Sequence, residues 1–130
     1  MVTSGEISRG PHSDFVAALV NAAVMAAEDK LARDTVVLDL RELVDSFDVL
    51  IVASGRNDRQ VRAIAEEVER LVEIALATKP LHVEGWTGAE WIALDYGDVI
   101  VHVFDEAARE YYDLEHLWNT APAYRPATIA

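Results

Sequence analysis

The chain of 130 residues is 52% hydrophobic and 26% charged, carries a formal net charge of −12 and contains no cysteine. This length suits one domain with a core of its own, and the composition excludes disorder as the default state. The lack of cysteine rules out disulfides, thiolate metal ligands and a cysteine nucleophile, and it suits a reducing, cytoplasmic setting.

Residues 1–12 hold Ser, Gly and Pro without periodicity and read as a flexible N-terminal tail ahead of a domain over 13–119. Ser13 is placed to cap a helix over 14–32, with Phe15, Leu19, Ala22, Ala23, Ala26 and Ala27 as a small apolar face suited to close approach to a sheet. The apolar run 15–27 resembles a signal core, but Glu6, Arg9 and Asp14 deny it a positive leader. It is also too short to span a bilayer, so it reads as the first helix of a soluble protein without a membrane anchor.

Residues 35–40 and 48–53 read as strands joined by a connection over 43–47, and the five consecutive apolar residues of the second predict a central strand covered on both faces. Asn57 and Gln60 have capping-box spacing. The helix they open carries Val61, Ile64, Ala65, Val68, Leu71, Val72 and Ala75 on one stripe and a predicted Glu66–Arg70 pair on the outside, and it ends before Pro80. A short strand follows over 81–84, then a turn with Gly85 and Gly88.

The stretch 91–104, WIALDYGDVIVHVF, predicts two strands joined by a tight turn at Tyr96-Gly97, where Gly supplies positive φ without steric cost. Residues 107–118 predict a last helix with Tyr111, Leu114 and Trp118 on one side, and Pro122 and Pro126 mark a flexible C-terminal tail over 120–130. The order α, β, β, α, β, β, β, α predicts an α/β (α+β) single domain with a mixed β-sheet flanked by helices.

Enzymatic signatures are sparse. Ser54-Gly55 lies after a buried strand and before a helix, where a phosphate loop would sit, and Arg56, Arg59 and Arg62 lie beside it. Neither glycine-rich nucleotide fingerprint is present, so no cofactor is expected. Asp39, Asp48, Asp95 and Asp98 are strand-end acids that a two-metal nucleotidyltransferase could use, yet nothing in their spacing requires convergence. His12, His82, His102 and His116 lack ligand spacing, and His102 in an apolar strand reads as a satisfied structural imidazole, so no metal site is expected.

What remains is aromatic and acidic. Trp86, Trp91, Tyr96, Tyr111, Tyr112 and Trp118 fall within 33 residues. Between Glu84 and Glu115 nine acidic residues face Arg109 alone, a local balance of −8. That sign disfavours direct DNA or RNA binding and suits a basic protein partner, and Tyr96 beside a turn glycine is expected to be exposed.

Glu84-Gly85, the stretch 91–104, Arg109, residues 112–115 and Leu117-Trp118 together resemble the ribosomal silencing factor family (RsfS, Iojap-related), as does the segment 48–65. The resemblance implies a nucleotidyltransferase-like fold without the catalytic acids and a function that is not enzymatic. It implies binding to the large ribosomal subunit through its L-fourteen protein, a steric block to small-subunit joining, repression of translation under nutrient limitation, and a tendency to form a homodimer. Its binding face maps onto Trp91, Leu94, Asp95, Tyr96, Gly97 and Asp98. His116 and Tyr111 depart from the family's commoner residues, and the connection 43–47 is less typical. The alternative is a nucleotide-binding enzyme that uses Ser54-Gly55 and acids from Asp39, Asp48 or Asp95.

Overall fold

The computed structural model describes residues 13–126; the expected tail over 1–12 and residues 127–130 lie outside them. Helix α1 (Asp14–Asp29) starts where Ser13 Oγ accepts from the Val16 amide at 3.2 Å. Val16, Leu19, Val20, Ala23, Val24 and Ala27 form its buried stripe, so Phe15, one helical position off that line, is exposed, contrary to expectation. The helix also stops earlier than expected, with Leu31 left-handed at φ 60° and the chain turning into β1. The alanines allow α1 to lie against helix α2 (Asp58–Leu76) more than against the sheet.

Strands β1 (Arg33–Asp39) and β2 (Val49–Gly55) pair antiparallel, Val36 opposite Val52 and Leu38 opposite Leu50. All seven residues of β2 are buried, as a run of apolar side chains covered on both faces requires. In α2, Asn57 Oδ1 accepts from the Gln60 amide at 2.9 Å, but Gln60 Oε1 takes the Arg56 amide in place of the Asn57 amide. Its Nε2 donates to the carbonyls of Lys30 and Leu31, tying the end of α1 to the start of α2.

Two further details of α2 depart from the sequence reading. Arg70 pairs with Glu67 at 2.7 Å instead of Glu66, because Glu67 lies on the buried side, where a carboxylate needs a partner. That guanidinium holds the Glu67 carboxyl below its ordinary range. Ala75 is exposed, since the stripe ends at Val72.

The remaining elements are β3 (His82–Glu84), β4 (Trp91–Asp95), β5 (Val99–Asp105), α3 (Glu106–Tyr112), α4 (Leu114–Leu117) and β6 (Ala123–Tyr124). The sheet order is β3-β4-β5-β2-β1-β6; β2–β5 is parallel and every other pairing antiparallel. The single helix expected over 107–118 is broken at Asp113, left-handed at φ 46°. Tyr111 therefore does not share a side with Leu114 and Trp118: it is 82% exposed while those two pack inward. β6 falls within the segment read as a tail. Pro122 has no N–H to donate, but its carbonyl accepts from the Asp39 amide at 2.9 Å and brings Ala123 and Tyr124 onto the edge of β1.

Strand parity divides the core. Val49, Ile51, Ala53, Ile92, Leu94, Val99, Val101 and Val103 face α1 and α2. Each fully buried Val, Leu or Ile there contributes about 1.5–3 kcal/mol of transfer free energy. On the opposite face Leu50, Val52 and Phe104 are covered by Val44, Phe47, Leu114 and Trp118. Trp91 of β4 and Ile100 of β5 pack at the margin of this cluster, and beyond them the face of β3, β4 and the first half of β5 stays partly open. Among the described residues no helix is long and apolar enough to cross a membrane.

Candidate functional site

The uncovered part of the sheet is lined by His82 and Glu84 of β3, Ala93 and Asp95 of β4, and Ile100 and His102 of β5. Cross-strand pairing brings them together: Asp95 lies opposite both His82 and Ile100, and Ala93 opposite both Glu84 and His102. An open antiparallel face normally carries polar outward residues; this one mixes carboxylates with Ile100 and aromatic rings.

Trp91 anchors the end of this face nearest α3. Its ring stacks on Phe104 with centroids 4.8 Å apart, and it meets Tyr112 at the same separation. Its indole N–H donates to His102 Nδ1 at 2.7 Å. That bond requires a neutral imidazole with its proton on Nε2. Burial pushes the His102 pKa down to about 4, against a smaller upward effect from the Asp95 charge, so the ring stays neutral at pH 7. His102 is thus a satisfied structural imidazole, as its apolar strand suggested.

The hairpin turn is built differently from the expectation. The Tyr96 amide donates to the Val99 carbonyl at 2.9 Å, which leaves Gly97 and Asp98 as the two turn residues. Gly97 has φ +94° and Asp98 is not in the positive region, so the one left-handed position of the tip falls on a glycine. Asp95 Oδ1 accepts from the Gly97 amide at 2.8 Å, and the Asp98 carbonyl accepts the amides of Asp48 and Val49, so the turn is fastened to β2.

The six residues assigned to the binding face therefore do not share one surface. Trp91 and Asp95 lie on the open face, and Gly97 and Asp98 sit at its end, with Asp98 exposed. Leu94 is fully buried and Tyr96 only 8% exposed; both point under the helices. The expectation of an exposed Tyr96 fails because Tyr96 continues the inward parity of Ile92 and Leu94 and only Gly97 and Asp98 form the tip. Burial drives its phenol pKa strongly upward, helped by Glu69 and Glu73, and among the described residues its hydroxyl has no hydrogen-bond partner. Tyr111 and Tyr112, which the face assignment omits, join it through Trp91: Tyr112 is 50% exposed and meets Tyr111 edge-on at 5.1 Å. Their spacing from Trp91 in sequence hides this, because only α3 folding back beside β5 brings them close.

Trp86 lies half-exposed in the turn after β3, where its carbonyl accepts from Arg62 Nε at 3.2 Å, and Trp118 packs with Leu114 beside Val44 and Phe47. The residues of the alternative, enzymatic reading are engaged elsewhere. Ser54 is buried with its hydroxyl accepting from Arg109 Nη1 at 2.8 Å, while Arg109 forms a two-point pair with Glu115. Asp39 is held by Arg41 through both oxygens, and Arg62 donates to the carbonyls of Trp86 and Thr87. Among the described residues no group of three or more His, Asp or Glu could hold a metal ion.

Comparisons with known proteins agree on one family. The model of the family described as ribosomal silencing factor during starvation (RsfS) matches residues 13–129. A ribosomal silencing factor from Halalkalibacterium halodurans is 39% identical over 105 residues, which cover 80% of this chain and 88% of that protein. A crystal structure from Chromobacterium violaceum shares the fold at TM-score 0.75 and 36% identity, covering 86% of this chain and 89% of that one. More distantly, the mouse protein named mitochondrial assembly of ribosomal large subunit protein 1 is 24% identical over 102 residues, 77% of this chain and 45% of that protein. A family match over nearly the whole chain, with a relative of that identity and coverage, places it plainly: the chain belongs to the ribosomal silencing factor (RsfS, Iojap-related) family.

Proposed function

We propose that the chain binds the large ribosomal subunit through the L-fourteen protein, sterically blocks joining of the small subunit, and so represses translation under nutrient limitation. Membership of the family supports the ribosomal reading, and the mouse relative's name carries the large subunit explicitly. The observation that carries the choice of surface is the open sheet face, where Ile100, Ala93 and His102 lie among Glu84 and Asp95 and half-buried Trp91 borders them through its bond to His102. An aromatic anchor with acidic neighbours suits a basic protein docked by its side chains. In this reading Trp91 and Asp95 touch the partner and Gly97 and Asp98 border it. Leu94 and Tyr96 shape the face from beneath.

Steric exclusion needs no chemistry, and the reading includes no catalysis, cofactor or metal. The protein would act in the cytoplasm, where subunits join. A homodimer that used the same face would compete with subunit binding, so apparent affinity would fall as protein concentration rises. The test is co-sedimentation with purified large subunits, followed by addition of small subunits. The reading predicts co-migration and fewer joined ribosomes; a folded protein that stays at the top of the gradient contradicts it.

A further inference from the structure

The aromatic row does not stop at the sheet. From His102 it runs through Trp91 to Tyr112 and Tyr111 of α3, with centroid separations of 5.6, 4.8 and 5.1 Å. Tyr111 and Tyr112 line a notch of about 290 Å³ with Glu90, Asp105, Ala107 and the buried Ala108. The Asp105 amide donates to the Glu90 carbonyl, which fixes the two acidic residues side by side at the ends of β5 and β4. One oxygen of Asp105 caps α3 by accepting from the Ala108 amide at 2.7 Å, and the Glu90 side chain is exposed. Tyr111 and Tyr112 meet edge to face at 88°, a contact that leaves ring faces open to a further group.

We infer that this notch seats an arginine side chain from a basic segment of the docked protein, the guanidinium stacking on the exposed tyrosines and pairing with Glu90. Charge complementarity selects the occupant: the region from Glu84 to Glu115 is strongly acidic, so phosphate backbones are repelled and cationic side chains attracted. Shape selects arginine over lysine, since a planar guanidinium covers a ring face and still presents N–H groups to a carboxylate in its own plane. The inference rests on the reading that the adjoining sheet face is a protein-docking surface, which it extends onto α3.

Two measurements separate the inference from that reading. The first compares the affinity of the wild type, the double variant Tyr111→Ser/Glu90→Gln and Ala93→Arg for purified large subunits across a salt series. Because Tyr111 and Glu90 are exposed, the double variant keeps its fold, and it should bind about tenfold more weakly with a shallower salt dependence. If it binds as wild type while Ala93→Arg fails, the notch is not a contact and the sheet face stands alone. If it loses only self-association, the occupant is a second copy and the inference falls.

The second measurement needs no ribosome. Titration of the full chain with the peptide acetyl-Gly-Arg-Gly-amide, followed by proton–nitrogen NMR, should shift Glu90, Tyr111 and Tyr112 first, with smaller shifts from the lysine analogue. Shifts spread over the whole acidic surface, or equal for arginine and lysine, overturn the inference whatever the subunit experiment gives.

Discussion

Two sets of side chains alternate along β4, and their surroundings differ completely. Ile92 and Leu94 are sealed under α1 and α2. Trp91, Ala93 and Asp95, one residue away in each case, stay partly exposed on a face with no helix over its centre. Tyr96 continues the sealed set. Adjacent residues of one motif therefore do different work: one parity holds the sheet to its helices, the other presents a surface. Substitutions that respect parity should separate stability from binding.

The largest effects belong to the sealed parity. Leu94→Ala should lower unfolding free energy by about 2–5 kcal/mol, and Tyr96→Ala by about 3–5 kcal/mol, in urea denaturation followed by circular dichroism. A loss below about 1 kcal/mol for both would mean that this side is not packed as described.

Next comes the imidazole on the open parity. His102 has a folded pKa of about 4, below its ordinary 6.5, because burial disfavours its charged form. The unfolded state then binds more protons between those values, so the contribution is present above about pH 6.5 and is lost as pH falls towards 4. Allowing for partial exposure, it amounts to about 2–3 kcal/mol. Stability curves of the wild type and His102→Asn should diverge in that window, the variant being flatter; parallel curves would show that His102 does not titrate as described.

Smaller effects sharpen the boundary at the turn. Gly97→Ala should cost about 1–2 kcal/mol through its positive φ alone, since the added methyl would meet only Leu81 Cδ1 at 3.5 Å. Tyr96→Phe removes a buried hydroxyl that has no partner among the described residues and should be neutral or stabilising by up to about 1 kcal/mol. A clear destabilisation would reveal a partner for that hydroxyl.

Much of this architecture is readable from residue order. The apolar run of β2, the caps at Ser13 and Asn57, the α2 stripe to Val72 and the hairpin over 91–104 follow from local periodicity and turn chemistry. The misreadings share one cause, which is that they depend on tertiary position. Glycine beside Tyr96 suggested an exposed tip, but the Tyr96–Val99 hydrogen bond moves the tip one residue along and parity buries the ring. Glu66 and Glu67 are equally plausible partners of Arg70 until the helix face is known. A two-residue strand between Pro122 and Pro126 leaves no periodic trace, and β6 exists because the edge of β1 offers it a ladder. The candidate face was legible in composition, as aromatic and acidic, and illegible in outline, because Tyr111 and Tyr112 reach Trp91 only through the fold.

The most direct test of the division by parity is large-subunit affinity measured for Ala93→Arg beside Tyr96→Phe, with folding of both checked by circular dichroism. Ala93→Arg places a bulky cation at the centre of the open face and should abolish co-sedimentation, while Tyr96→Phe, on the sealed side, should bind as wild type. Unimpaired binding by a folded Ala93→Arg protein would contradict the assignment of that face.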